Sequence, residues 1–176
     1  MNPLHAVALP DDLGEWLPAL IEIPKGSKCK YEIDKDTGLL VLDRVLYSAV
    51  HYPANYGFIP RTLAGDGDPL DILVLMSEAV LPLTIVRSRV VGGLSMRDDK
   101  GEDDKIIAVC VDDPAYRDYK TIEQLPAHVT VELERFFRDY KVLEGKKTEV
   151  DKPYGRDHAL AVVRDAVAGY KPALQT

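Results

Sequence analysis

The stretch Pro126-Ala-His-Val-Thr-Val-Glu-Leu-Glu-Arg-Phe-Phe-Arg-Asp-Tyr-Lys141 carries apolar groups at Val129, Leu133, Phe136, Phe137 and Tyr140. Spacings of three, four and seven put these on one face of a helix. Pro126 suits the first turn, where its missing N–H costs nothing. The chain before it has a different rhythm, with short apolar runs punctuated by Pro and Gly at residues 16–23, 30–33, 39–43, 45–51, 72–76, 85–94 and 105–111. These read as strands. Asp36-Thr37-Gly38 is a turn signal, and the charged loop 97–104, with Gly101, should close a hairpin. After the first helix, a linker over residues 144–156, rich in Lys, Gly and Pro, leads to a second helix expected from about Asp157 to about Ala168, with Gly169 as its stop. Many short strands followed by two helices predict a mainly-β fold of the α+β kind, a small closed or partly closed barrel with the helices packed outside. No repeat, low-complexity segment or composition break divides the chain, so residues 1–176 are expected to form a single domain.

The 176 residues include 22 Lys and Arg against 29 Asp and Glu, a formal charge of −7. That balance argues against a nucleic-acid or membrane partner, since either polyanion would be repelled without a basic face. An anionic substrate stays possible if cations invert the local sign. Cys29 and Cys110 are too few for a disulfide framework and lack the spacing of a zinc site. There is no basic segment followed by an apolar run at the N-terminus and no span of about 18 apolar residues. A soluble, cytoplasmic protein is expected.

Within six positions, Asp66-Gly-Asp-Pro-Leu-Asp71 holds three carboxylates, and a second acidic group gathers Asp98, Asp99, Glu102, Asp103 and Asp104. Crowding of this kind costs energy unless a cation neutralises it. Hard ions such as Mg2+ take oxygen ligands and keep positions for water and phosphates. In an extended chain Asp66 and Asp68 point the same way, while Pro69 sets the turn that brings Asp71 to the next strand. A plain acidic surface turn is the alternative for each group taken alone. An EF-hand loop fails, because its sixth position is Asp71 rather than Gly and its twelfth is Ser77 rather than Glu.

Glu22, Lys30, Glu32 and Arg44 alternate with apolar neighbours and could project from strands into a cleft. Tyr52, Asn55 and Tyr56 cluster around Pro53 and Gly57, which suggests hydroxyls presented from a rigid loop or, alternatively, a core aromatic cluster. Tyr140 and Lys141 close the first helix, where they could meet phosphate or complement the helix dipole. His5, His51, His128 and His158 show no metal spacing, and no GxxxxGK[ST] loop is present.

Taken together, Ile21-Glu-Ile-Pro24, Lys30-Tyr-Glu-Ile-Asp34, Asp43-Arg44, Tyr52-Pro-Ala-Asn-Tyr-Gly57, Asp66-Gly-Asp-Pro-Leu-Asp71, residues 96–105 and Phe136-Phe-Arg-Asp-Tyr-Lys141 closely resemble the family I soluble inorganic pyrophosphatases. The match runs in order from about residue 16 to residue 144. The resemblance implies a five-stranded OB-type barrel with two flanking helices that hydrolyses pyrophosphate to two phosphates with Mg2+. It places Asp66, Asp71 and Asp103 on a first metal, Asp71 also on a second, Asp98 and Asp103 on metals that arrive with substrate, and Glu22 and Glu32 at the rim. Asp68 would accept the proton of a water bridging two Mg2+ ions. Lys30, Arg44, Tyr52, Tyr140 and Lys141 would bind phosphate oxygens, Tyr56 would steady a carboxylate or water, and Lys105 would balance the acidic loop. A homo-oligomer, a hexamer as in bacterial relatives, is also implied. Asp99 departs from the pattern, since many relatives carry the longer Glu there.

Physical chemistry agrees with that implication. Pyrophosphate repels hydroxide until cations screen it, and two metals can clamp the attacking and leaving oxygens. Arg and Lys then stabilise the departing phosphate. The competing expectations are a non-catalytic OB-type module binding oligonucleotides or a phosphorylated ligand through the Tyr52 and Tyr56 face, for which a basic groove is missing, and a calcium-binding structural domain. Release of phosphate from pyrophosphate separates the first from both.

Overall fold

The computed structural model describes residues 2–98 and 101–171. In chain order its elements are α1 (Pro3–Ala6), β1 (Leu17–Ile23), β2 (Cys29–Ile33), β3 (Leu40–Val45), β4 (Asn55–Phe58), β5 (Asp71–Leu75), β6 (Ile85–Asp98), β7 (Gly101–Cys110), α2 (Ala127–Asp139), β8 (Glu149–Val150), β9 (Tyr154–Gly155) and α3 (Arg156–Gly169). Strands run in the order β1-β4-β5-β7-β6, and β6 pairs back onto β1. A ring of five strands therefore closes, and β1, paired on both edges, is buried along its whole length. The β5–β7 pair is parallel and the other ring pairs are antiparallel. Ring closure leaves no sheet edge to protect among these five strands.

Helix α2 lays Leu133, Phe136 and Phe137 on the core with Tyr140, its C-cap residue, beside them. The helical face read from residues 126–141 is the buried one, with Pro126 one position earlier than expected, at the N-cap. Helix α3 covers the other side of the ring through Ala159, Leu160, Val163 and Ala166. It runs one residue past its expected stop, so Gly169 lies inside it and Tyr170 is the C-cap. No helix among the described residues is long and apolar enough to cross a membrane.

Three expectations need correction. Residues 46–51 do not continue as a strand, because Leu46 and Tyr52 turn into the core and their N–H groups donate to Lys28 and Ser27 carbonyls. The segment expected as a rigid aromatic loop includes strand β4. Gly57 is what permits it, since a Cβ there would lie 1.8 Å from the Leu20 oxygen of the adjacent strand. The linker 144–156 contributes the short strands β8 and β9, both paired to β6.

The hairpin expected at 97–104 is present, with Asp98 opposite Gly101. Its tip, including Asp99, lies outside the described residues. A bulge between Val90 and Gly92 resets the pairing. Beyond it Asp103 and Lys105 face one side of β7 while Asp104 faces the other, where it accepts a 2.7 Å hydrogen bond from the Tyr154 hydroxyl. Strands β2 and β3 form a separate two-stranded sheet, joined by the expected turn, in which the Gly38 N–H donates to the Asp34 carbonyl.

Candidate active site

A cavity of about 220 Å³ lies where β1, β2, β5, the ends of β6 and β7 and the C-terminus of α2 meet. Every residue to which the resemblance gave a role lines it except Arg44, while Asn55, Glu102 and Asp104 do not line it. Seven carboxyl groups and four lysines share this wall.

Alternation on β2 puts Lys30 and Glu32 on one face, where they pair with each other, and Lys30 also reaches Asp43 at 3.1 Å. Burial opposes the Lys30 charge, but these carboxylates outweigh it and hold the amine above its usual range. Arg44, across from Lys30 on β3, is drawn away from the cavity. Its Nη1 donates to Asp43 at 2.5 Å and its Nε lies 2.8 Å from Glu144. Glu22, from β1, is 8 % exposed and accepts the Ile33 N–H at 2.7 Å. Burial, with Asp71 and Glu32 adding repulsion, pushes its carboxyl up to about 8.

Asp66 and Asp68 do converge on the cavity, though not from an extended chain. The segment is a tight turn in which Gly67 takes φ +87°, Asp66 accepts the Asp68 N–H at 3.0 Å and the Ala64 N–H donates to the Asp68 carbonyl at 2.7 Å. That positive φ is one glycine adopts without strain. The Asp68 carboxylate pairs with Lys35.

Asp71 opens β5 directly beside Lys105 of β7. The buried Lys105 ammonium bonds both Asp71 and, at 2.6 Å, Asp103. Burial works against that charge, yet the two carboxylates hold it well above the usual lysine range. Asp103 is pushed up to about 6, by burial first and by Asp71 and Asp66, with Lys105 opposing. Tyr56 donates to Asp71 at 2.6 Å. Burial and the neighbouring carboxylates keep its phenol well above its ordinary value, so it is a donor at any physiological pH.

The tyrosines combine the two readings open from sequence. Tyr52 is buried, its ring 5.3 Å from Tyr56 and 4.8 Å from Phe136, and both phenols also line the cavity. Tyr140 stacks on Phe136. Lys141, just past the helix, donates to Asp98 at 2.9 Å. Burial disfavours the Lys141 charge, but Tyr140 and Asp98 raise its proton affinity above the ordinary lysine level.

Among the described residues no three carboxylates close on a single point as metal ligands. Lys105 bridges Asp71 and Asp103, while Lys35 and Lys141 pair with Asp68 and Asp98. The donor set nonetheless fits hard divalent ions. It is all oxygen, and seven carboxyl groups face four lysines, so the wall holds more acidic groups than its lysines can pair.

One consequence belongs to the metal-free chain. Between about 4.5 and 8 the folded state keeps a proton on Glu22 that the unfolded state has lost, so stability falls as pH rises through that window. Thermal melting in chelator should therefore decline from pH 5 to pH 8. Glu22→Gln should flatten the decline, and an unchanged slope in the variant would exclude Glu22 as its source.

Lys35, Asp43 and Glu144 were given no part in the site by the sequence, and Asn55 was noted only as a member of the group at residues 52–57. Asn55 is wholly buried and fixes the wall by accepting the Lys25 and Val80 N–H groups and donating to the Glu78 carbonyl. Its signal was its place between Pro53 and Gly57.

The sequence profile described as Inorganic pyrophosphatase matches residues 19–171. Soluble inorganic pyrophosphatase 2 of Chlamydomonas reinhardtii is 49% identical over 170 residues, which is 97% of this chain and 88% of that protein. Soluble inorganic pyrophosphatase 1 of Arabidopsis thaliana is 51% identical over 150 residues, 85% of this chain and 71% of that one. Among solved structures, the inorganic pyrophosphatase from Thermus thermophilus superposes with a TM-score of 0.90 at 44% identity, covering 94% of this chain and 97% of that one.

Proposed function

The chain belongs to the inorganic pyrophosphatase family, and from that membership we propose that it hydrolyses inorganic pyrophosphate to two phosphates in its carboxylate-lined cavity with Mg2+ as cofactor and Asp68 as general base. The observation that carries the assignment is the cavity itself. Residues from eight separate segments, spread from Glu22 to Lys141, meet there as an alternation of oxygen donors and cations. A surface turn needs no such company.

In this reading Asp66, Asp71, Asp98 and Asp103, with Glu22 and Glu32 at the rim, hold Mg2+. Bound there, the metal supplies Lewis-acid charge that screens pyrophosphate and eases removal of a proton from water. Asp68 accepts that proton. Lys30, Lys141, Tyr52 and Tyr140 bind phosphate oxygens, and Arg44 joins them on exchanging Glu144 for phosphate, which its donor fork can also grip bidentately. Lys105 keeps Asp71 and Asp103 from repelling each other, and the Tyr56 hydroxyl fixes the rotamer of Asp71. A homo-oligomer in the cytoplasm, with pyrophosphate as its partner molecule, completes the proposal. Exposed Leu81 and Ile85 offer apolar surface for assembly.

The test is phosphate release from pyrophosphate, ATP and p-nitrophenyl phosphate, each with Mg2+ and with chelator. A compact diphosphate between paired cations should be hydrolysed far faster than either competitor, and only with metal. Equal rates on all three substrates, or full activity in chelator, would defeat the reading.

A further inference from the structure

Lys35 lines the cavity without a part in that assignment. It sits in the turn between β2 and β3, where its ammonium pairs with Asp68 and lies 3.5 Å from the Gly67 carbonyl. The side chains of Lys35 and Asp68 are 59 % and 51 % exposed. A pair so open to water is weak. A multiply charged anion entering the cavity therefore competes well for the lysine.

The sheet that carries Lys35 is not part of the ring, so the position of its turn depends on what touches the tip. The N-terminal segment does. The Asn2 amide donates to the Lys35 carbonyl at 2.8 Å, while its oxygen accepts the Leu4 N–H at 3.0 Å. Gly38 of the same turn packs so closely that an added Cβ would lie 3.0 Å from Pro3. Leu4 is buried against Leu20, Ile33 and Phe58. His5 anchors the other end, accepting from Arg61 through its carbonyl and meeting the Tyr170 hydroxyl at 2.7 Å through its ring. The segment is thus tied both to the turn and to the rest of the molecule.

Resting on the pyrophosphate reading of the cavity, we propose that Lys35 is a further substrate ligand, which leaves Asp68 for a phosphate oxygen as pyrophosphate enters, and that Asn2 is the positioning residue holding its turn at the cavity mouth. The exchange has a second effect. The carboxylate proposed as base is covered by a cation before substrate arrives and uncovered by the substrate's own charge.

The experiment compares wild type with Lys35→Ala, Lys35→Arg, Asn2→Asp and the Asn2→Asp/Lys35→Ala double variant. Asn2→Asp keeps the oxygen that caps Leu4, removes the donor to the Lys35 carbonyl and adds a negative charge, whose through-space effect the higher salt concentration screens. Binding of the non-hydrolysable analogue methylenediphosphonate with Mg2+ is measured by calorimetry, alongside kcat and KM for pyrophosphate at two salt concentrations. Lys35→Ala should weaken analogue binding and raise KM by about three- to tenfold, with kcat within about twofold. It should also reduce the salt dependence of KM, and Lys35→Arg should restore most of both. Asn2→Asp should give a smaller loss that disappears in the Lys35→Ala background. Unchanged analogue affinity and KM in Lys35→Ala overturn the ligand role, and additive losses in the double variant overturn the positioning role. Wild type that binds the analogue without releasing phosphate from pyrophosphate would instead sink hydrolysis, leaving the Lys35 comparison to be read from affinity alone.

Discussion

Asp68→Asn should lower kcat at saturating Mg2+ by about 100- to 10,000-fold, the usual cost of removing a general base, with little change in melting temperature. Asn matches the size of Asp but cannot take up the proton of an attacking water. The turn survives the change, because it is held by backbone contacts. The Asp68 carbonyl accepts from Ala64, its N–H donates to Asp66, and Gly67 supplies the positive φ. The carboxylate itself contributes only an exposed pair with Lys35, worth about 1 kcal/mol at most. One fewer negative charge on a crowded wall should leave the metal-free protein as stable as before or slightly more so. Steady-state kinetics and thermal melting in chelator measure the two halves separately. A variant with near wild-type kcat would remove Asp68 from the mechanism.

Lys105→Met should have its largest effect on the fold. Lys105 is 3 % exposed, bonds Asp71 and Asp103, and lies 5.6 Å from the centre of the Tyr56 ring and 5.8 Å from that of Phe137. Met fills similar volume without charge, so the two carboxylates are left facing each other in a partly dry site. Removing one member of a buried pair typically costs about 3 to 5 kcal/mol, which for a chain of this size lowers Tm by roughly 6 to 20 °C. The loss should appear in chelator and shrink when Mg2+ is added, since a divalent cation can neutralise the same two oxygens. Tm in chelator within about 2 °C of wild type, a shift of under about 1 kcal/mol, would show that Lys105 is dispensable to the fold.

The sequence made parts of this arrangement plain and hid others for physical reasons. Helix α2 was legible because Leu133, Phe136 and Phe137 are buried and the period has only one interpretation. Strand β4 was not. Its residues Asn55 and Gly57, next to Pro53, are turn formers by local preference, and what makes the segment a strand is the close passage of β1, which only the tertiary fold reveals. The acidic residues could be named from their crowding, but their partners could not. Asp98 meets Lys141 from 43 positions away, and Lys35 meets Asp68 from 33. A lone lysine in a turn carries no mark of the carboxylate it will face. Arg44 shows the reverse case. It was picked out by motif, yet in the described residues it leans on Glu144 and Asp43 outside the cavity lining.

The two faces of β7 also limit how the gene can change length. Asp103 and Lys105 turn toward the cavity while Asp104 turns toward Tyr154, an alternation counted from the bulge near Val91. Because side chains alternate with period two, losing or gaining one codon between that bulge and Lys105 without a compensating change would exchange the faces. The cavity would lose Lys105, and Tyr154 would lose the Asp104 carboxylate that accepts its hydroxyl. Length differences between descendants of this chain should therefore be purged along these two strands.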